Sequence, residues 1–140
     1  QEALCDAIVV DYYLNYRANF KKFITHKGPD SFNPANNAAL AKALFKNIKV
    51  DHIKFVLLMD KSEGTQYAGF KNETAALLEV HILNGMNADN ADEYVISIIV
   101  RNFFHGIVEI AKNYQNEEWA YRNISLLVQY HMCGMALLYQ

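Results

Sequence analysis

EALCDAIVVDYYLNYRANFKKFIT, residues 2–25, decides the fold class of this 140-residue chain. Cys5, Val9, Tyr13, Tyr16, Phe20 and Phe23 recur at spacings of three and four. On a helix of 3.6 residues per turn, that spacing draws one apolar stripe. The helix stops at His26-Lys27-Gly28-Pro29, because glycine favours a C-terminal cap and proline cannot continue the hydrogen-bond ladder. Tyr12 falls off the stripe and reads as a candidate exposed contact.

Beyond this helix the same signals repeat. Residues 29–37, with two prolines, form a loop. Asn37 can cap a second helix on which Leu40, Leu44 and Ile48 align. Asp51 can cap a third, carrying Ile53, Val56 and Leu57 and ending near Gly64. Residues 65–71 give no clear pattern, and a fourth helix fits Asn72 to Leu83, closed by Asn84-Gly85. Asn90-Ala91-Asp92-Glu93 resembles a capping box, and the fifth helix follows over about 92–114 with Val95, Ile98, Ile99, Phe103, Ile107 and Ile110 inward. A sixth starts near Asn116 or Glu117 and runs to the C-terminus, with Trp119, Leu126, Leu127, Tyr130, Cys133 and Leu137 available to the core. No strand-like alternation appears. The expectation is an all-α, compact single-domain bundle of about five to six helices over residues 1–140.

Composition supports a packed core. Apolar residues make up 52% and charged residues 20%, and nine Tyr and eight Phe argue against a low-complexity chain. The longest apolar runs, such as Val95 to Val100, fall well short of a membrane span.

The chain begins Gln1-Glu2-Ala3-Leu4-Cys5 without Met, as a chain does after signal-peptide removal, which points to a secreted, extracellular protein. In that oxidising setting Cys5 and Cys133 are expected to pair and clasp the terminal helices. Closing a loop of about 130 residues stabilises by about 4–5 kcal/mol in the chain-entropy model. Two N-x-S/T sequons, at Asn72 and Asn123, are candidate glycosylation sites. Chance supplies about 0.7 under the same rule, so two is a mild excess.

Chemistry-bearing patterns are absent from the sequence. None of His26, His52, His81, His105 and His131 stands three or four residues from another, so no helix presents a two-histidine metal face. His105 and Glu109 form an i,i+4 pair that reads as an ordinary surface pair. Ser31, Ser62, Ser97 and Ser125 lack a nucleophile motif, and His131 and Cys133, two apart on a helix, diverge. No catalytic residue, metal or cofactor is expected, and the enzyme class ranks last.

Charge is unevenly placed. Residues 17–54 hold Arg17, Lys21, Lys22, Lys27, Lys42, Lys46, Lys49 and Lys54 against Asp30 and Asp51, a local excess of six within a chain of net charge −2. Such asymmetry steers a macromolecular partner. Arg17, Lys21, Lys22, Lys42, Lys46, Lys49 and Lys54 are therefore the candidate contact with an extracellular protein. The net negative charge and the lack of a recognition motif count against nucleic acid. The aromatic richness admits a second reading, a carrier of an apolar small molecule such as a lipid, which requires a hollow core of a few hundred Å³ lined by Phe, Tyr, Ile and Leu.

The stretches YYLNYRANFKKFITHKGPDSF and ALAKALFKNIKVDHIKF, with a cysteine near each end and the tyrosine-rich first helix, resemble the small helical salivary proteins of blood-feeding mosquitoes, the anophensin-like family. The resemblance implies a non-enzymatic inhibitor of host plasma cascades, complement or contact activation. Such an inhibitor binds a protease complex or its assembly surface.

Overall fold

A computed structural model describes residues 2–27, 37–85 and 92–138 of the chain. Five helices make up the structure: α1 (Glu2–Lys27), α2 (Asn37–Asp60), α3 (Phe70–Gly85), α4 (Glu93–Lys112) and α5 (Glu117–Leu138). No strand occurs among the described residues. The expected loop before Asn37 and the Asn90 cap lie outside the described residues. So do the side chains of Cys5 and Phe23.

The second and third expected helices are one element, bent in the middle. Asp51 leaves helical backbone (φ −165°, ψ 93°), and its carboxylate accepts the Lys54 N–H at 3.0 Å. Asp51 is thus an N-cap inside α2, serving the donors that the bend orphans. The bend also leaves the carbonyls of residues 47–50 at the end of a helical segment, short of donors. Tyr12 supplies one, donating its hydroxyl to the Asn47 carbonyl at 2.7 Å. Tyr12 is therefore buried, not the exposed contact expected from its position off the stripe. Burial, then the neighbouring Tyr16 and Asp51, pushes its hydroxyl pKa far up, so it stays a protonated donor.

The turn from α2 to α3, unreadable in the sequence, is a hydrogen-bonded knot. The Ser62 hydroxyl donates to the Leu58 and Tyr67 carbonyls, and the Thr65 hydroxyl donates to the Ser62 carbonyl at 2.6 Å. Gly64 takes φ +79°, a left-handed conformation that favours glycine. Asp92 caps α4, accepting from the Tyr94 and Val95 amides, so the cap lies two residues past Asn90. Asn116 caps α5 through the Trp119 amide at 2.8 Å, as the sequence indicated.

Core faces differ from the expected ones on both long C-terminal helices. α4 buries Ile96, Val100, Phe103, Phe104, Ile107, Val108 and Ala111, while Val95 and Ile98 are exposed. α5 buries Ala120, Ile124, Val128, Met132 and Met135, leaving Leu126 58% and Tyr130 74% exposed. Leu137 is also exposed, as is Ile53 in the second half of α2. Both C-terminal helices carry apolar residues at helical spacing on more than one face, so periodicity alone could not choose between stripes. α4 is the one helix among the described residues long and apolar enough to cross a membrane, which the short apolar runs had not suggested. Its inner face is spent on the core.

The expected Cys5–Cys133 clasp finds no support. Cys133 is an exposed free thiol. Its expected partner, Cys5, has a side chain outside the described residues.

Truncating Ile124 to Ala, in the core of α5, is expected to cost about 2–5 kcal/mol. Leu126→Gln, two residues on, should change stability by less than about 0.5 kcal/mol. Urea denaturation of both variants checks the orientation of α5. Equal losses would contradict it.

Candidate functional site

An apolar cavity of about 220 Å³ opens between α1, α2, α3 and α4. α1 contributes Tyr16 and Phe20, α2 contributes Leu40, Ala43 and Leu44, α3 contributes Leu78, and α4 contributes Phe103 and Phe104. The space has a structural origin. Tyr16 and Phe20 lie parallel, one turn apart on α1, with ring centres 6.3 Å apart, and Tyr16 also meets Phe70 edge-on at 5.4 Å. Rings locked in this way hold α1 off the bundle axis. On the facing side, Ala43 offers only a methyl group, too little to fill the gap.

Polar groups are confined to one side of the cavity. Asn19 comes from α1, and Lys46 and Asn47 come from α2, while Leu78, Phe103 and Phe104 make the opposite wall wholly apolar. Among the described residues, no acidic side chain lines the space. Tyr16 is 4% exposed, and burial holds its hydroxyl protonated by pushing its pKa well up.

The structure separates the expected basic surface into parts. Arg17 and Lys21 border a narrow groove against α3 beside Glu73, and the Arg17 guanidinium donates to the Tyr13 hydroxyl at 3.2 Å. Lys22 and Lys42 stand exposed, and Lys46 stands at the cavity's solvent edge. Lys49 pairs with Glu117 at 3.7 Å and Lys54 with Asp51 at 3.9 Å, so two of the seven cations are already engaged. Lys21, Lys22, Lys42 and Lys46 make no ion pair among the described residues.

A second hollow of about 200 Å³ lies between α3 and α4, bordered by Lys71, Asn72, Arg101 and His105 with Phe104 behind them. Sequence reasoning missed it, since its residues come from helices whose register was unknown. Arg101 is held there by Ser97 and Asn72, each at 3.1 Å, and by Glu79 at 3.8 Å. Asn72, the first sequon, is exposed, whereas the Asn123 amide is half-buried and donates to the Trp119 carbonyl at 2.8 Å.

His105, Glu109 and His131 do not converge. His131 packs edge-on against Phe103 at 5.0 Å, facing the α5 side of α4, while His105 lines the α3–α4 hollow. Residues 103 and 105 point in divergent directions on one helix. Glu109 pairs with Lys112 at 3.5 Å. No group of three or more His, Cys, Asp or Glu able to hold a metal occurs among the described residues.

No family model matches the chain, and neither does any curated protein or solved structure.

Burial lowers the pKa of His131 below its ordinary value of 6.5. The folded state therefore favours neutral imidazole. Its contribution to stability is full above pH 6.5 and is lost as pH falls from there through the lower folded value. His131→Gln should flatten the fall in melting temperature between pH 7 and 5. An unchanged slope would place the acid sensitivity elsewhere.

Proposed function

We propose that this chain is a secreted, non-catalytic carrier of a small, largely apolar molecule, held in the cavity between α1, α2, α3 and α4. The observation that carries the reading is the cavity itself: about 220 Å³, walled by Tyr16, Phe20, Leu40, Leu44, Leu78, Phe103 and Phe104. An apolar cavity of about 150 Å³ stays dry and takes up benzene, so a space half as large again suits an occupant of about eight to ten non-hydrogen atoms. Secretion is supported by the two sequons at Asn72 and Asn123. Calorimetry with 1-octanol is expected to show saturable binding, and organic extraction of the purified protein followed by mass spectrometry should release a compound of that size. Ala43→Trp, which fills the cavity from its solvent side, should weaken octanol binding at least tenfold with an unchanged circular dichroism spectrum. An empty extract together with no octanol binding would overturn the carrier reading.

A second reading is a protein-binding inhibitor of a host extracellular cascade, complement or contact activation. It is favoured by Lys21, Lys22 and Lys42, which are exposed and without ion-pair partners among the described residues, and by the anophensin-like resemblance. Free surface cations steer acidic partners in a salt-dependent way. The protein should then inhibit complement deposition in normal serum or kallikrein generation in plasma, and the double variant K21E/K42E should lose most of that effect. Absence of inhibition of both cascades at micromolar protein would dismiss it.

A further inference from the structure

The carrier reading leaves open what kind of small molecule the cavity takes, and the placement of its polar groups answers that. All of them stand on α1 and α2, and the α3 and α4 walls are purely apolar. An occupant is therefore oriented, with its polar head toward α1 and α2 and its apolar body against Leu78, Phe103 and Phe104. Donors outnumber acceptors on that side, since Asn19 and Asn47 offer both while Lys46 and Tyr16 add donors, so the head is one that accepts hydrogen bonds. Lys46 has three donors and no acceptor, and a protonated tyrosine hydroxyl gives one more donor.

Tyr16 is the second, independent observation. Its side chain is buried and lines the cavity, yet its hydroxyl meets no hydrogen-bond partner among the described residues. The neighbouring Tyr12, one turn earlier on the same helix, has the Asn47 carbonyl. Buried hydroxyls are normally paired, and an unpaired one beside a cavity marks a place where a ligand atom belongs.

Charge chooses between a neutral acceptor and an anion. Lys46 is exposed at the cavity edge and makes no ion pair among the described residues, and no carboxylate lines the space to compete. The unpaired Lys21, Lys22 and Lys42 on the same two helices add to the positive field through which a ligand approaches. Resting on the carrier reading, we infer that the occupant is a small amphipathic carboxylate. Its apolar body fills the α3–α4 side, and its carboxylate accepts from the Tyr16 hydroxyl and the Lys46 ammonium.

Three probes of one chain length, octanoate, 1-octanol and octylamine, test this by calorimetry at pH 7.5 and low salt. Octanoate should bind at least tenfold more tightly than octanol, and octylamine should bind more weakly than either. Lys46→Met, a surface change that keeps the aliphatic stem, should cut octanoate affinity about tenfold and leave octanol affinity unchanged. Tyr16→Phe removes only the hydroxyl and should have the same selective effect; the Lys46 variant decides alone if that one misfolds. Equal binding of octanoate and octanol, or a Lys46→Met variant with undiminished octanoate affinity, would overturn the head-group assignment while the carrier reading stood. Failure of all three probes to bind would overturn both.

Discussion

Asp51 leaves helical backbone in the middle of α2, and each of the other four helices packs against α2. A straight helix of 24 residues would reach about 36 Å and could not follow so small a core along its length. The bend gives its two halves different neighbours. The first half faces α1 through the Tyr12–Asn47 hydrogen bond and α5 through Phe45 against Tyr121 at 5.3 Å. The second half ends where Asp60 accepts from the Lys112 ammonium at 2.7 Å, a contact that holds the carboxyl below its ordinary range. Between them His52 stacks on Tyr114 at 4.3 Å, fixing α2 against the short α4–α5 turn.

The cavity is a consequence of this arrangement. α1 is tied to α2 at the Tyr12 level, and its aromatic run then continues toward α3 through Tyr13 and Tyr16 against Phe70. Rings of fixed shape cannot close a gap as a flexible methionine would. Where Tyr16 and Phe20 pass Ala43 and Leu44, packing leaves a space that aliphatic side chains do not fill. The α4–α5 contact is tighter. α4 and α5 approach so closely at Gly106 that an added Cβ would stand 2.8 Å from a Leu127 methyl group.

The basic first half of the chain acquires a different meaning in three dimensions. As a string of residues it looks like one continuous contact surface. In the fold, Lys49 and Lys54 turn to acidic partners, Arg17 and Lys21 border a groove beside Glu73, and Lys46 stands at the rim of an apolar hollow. Lys46, without an ion-pair partner among the described residues, and the buried Tyr16 line that hollow together.

The sequence by itself determined the helical class and most helix boundaries, because caps and breakers are local. Asp51 and Asn116 act within three residues of themselves, and their roles do not depend on the rest of the molecule. Asn37, expected to cap α2, stands at its start but keeps its side-chain oxygen without a hydrogen-bond partner. Part of the cavity wall was legible too, since Tyr16, Phe20, Leu40, Leu44 and Phe103 lie on stripes read from spacing. Leu78 and Phe104 were not. Tertiary structure alone decided which face of α4 and α5 turned inward, because both helices are apolar around more than one side and the choice follows from their partners' shapes. It also decided that Tyr12 is buried, since its hydroxyl answers a carbonyl 35 residues away that is short of a donor only because α2 bends. The Cys5–Cys133 clasp was an inference from compartment and chain position. The structure lends it no support, because Cys133 lies on the exposed face of α5, and which face of that helix turns outward is set by its packing partners.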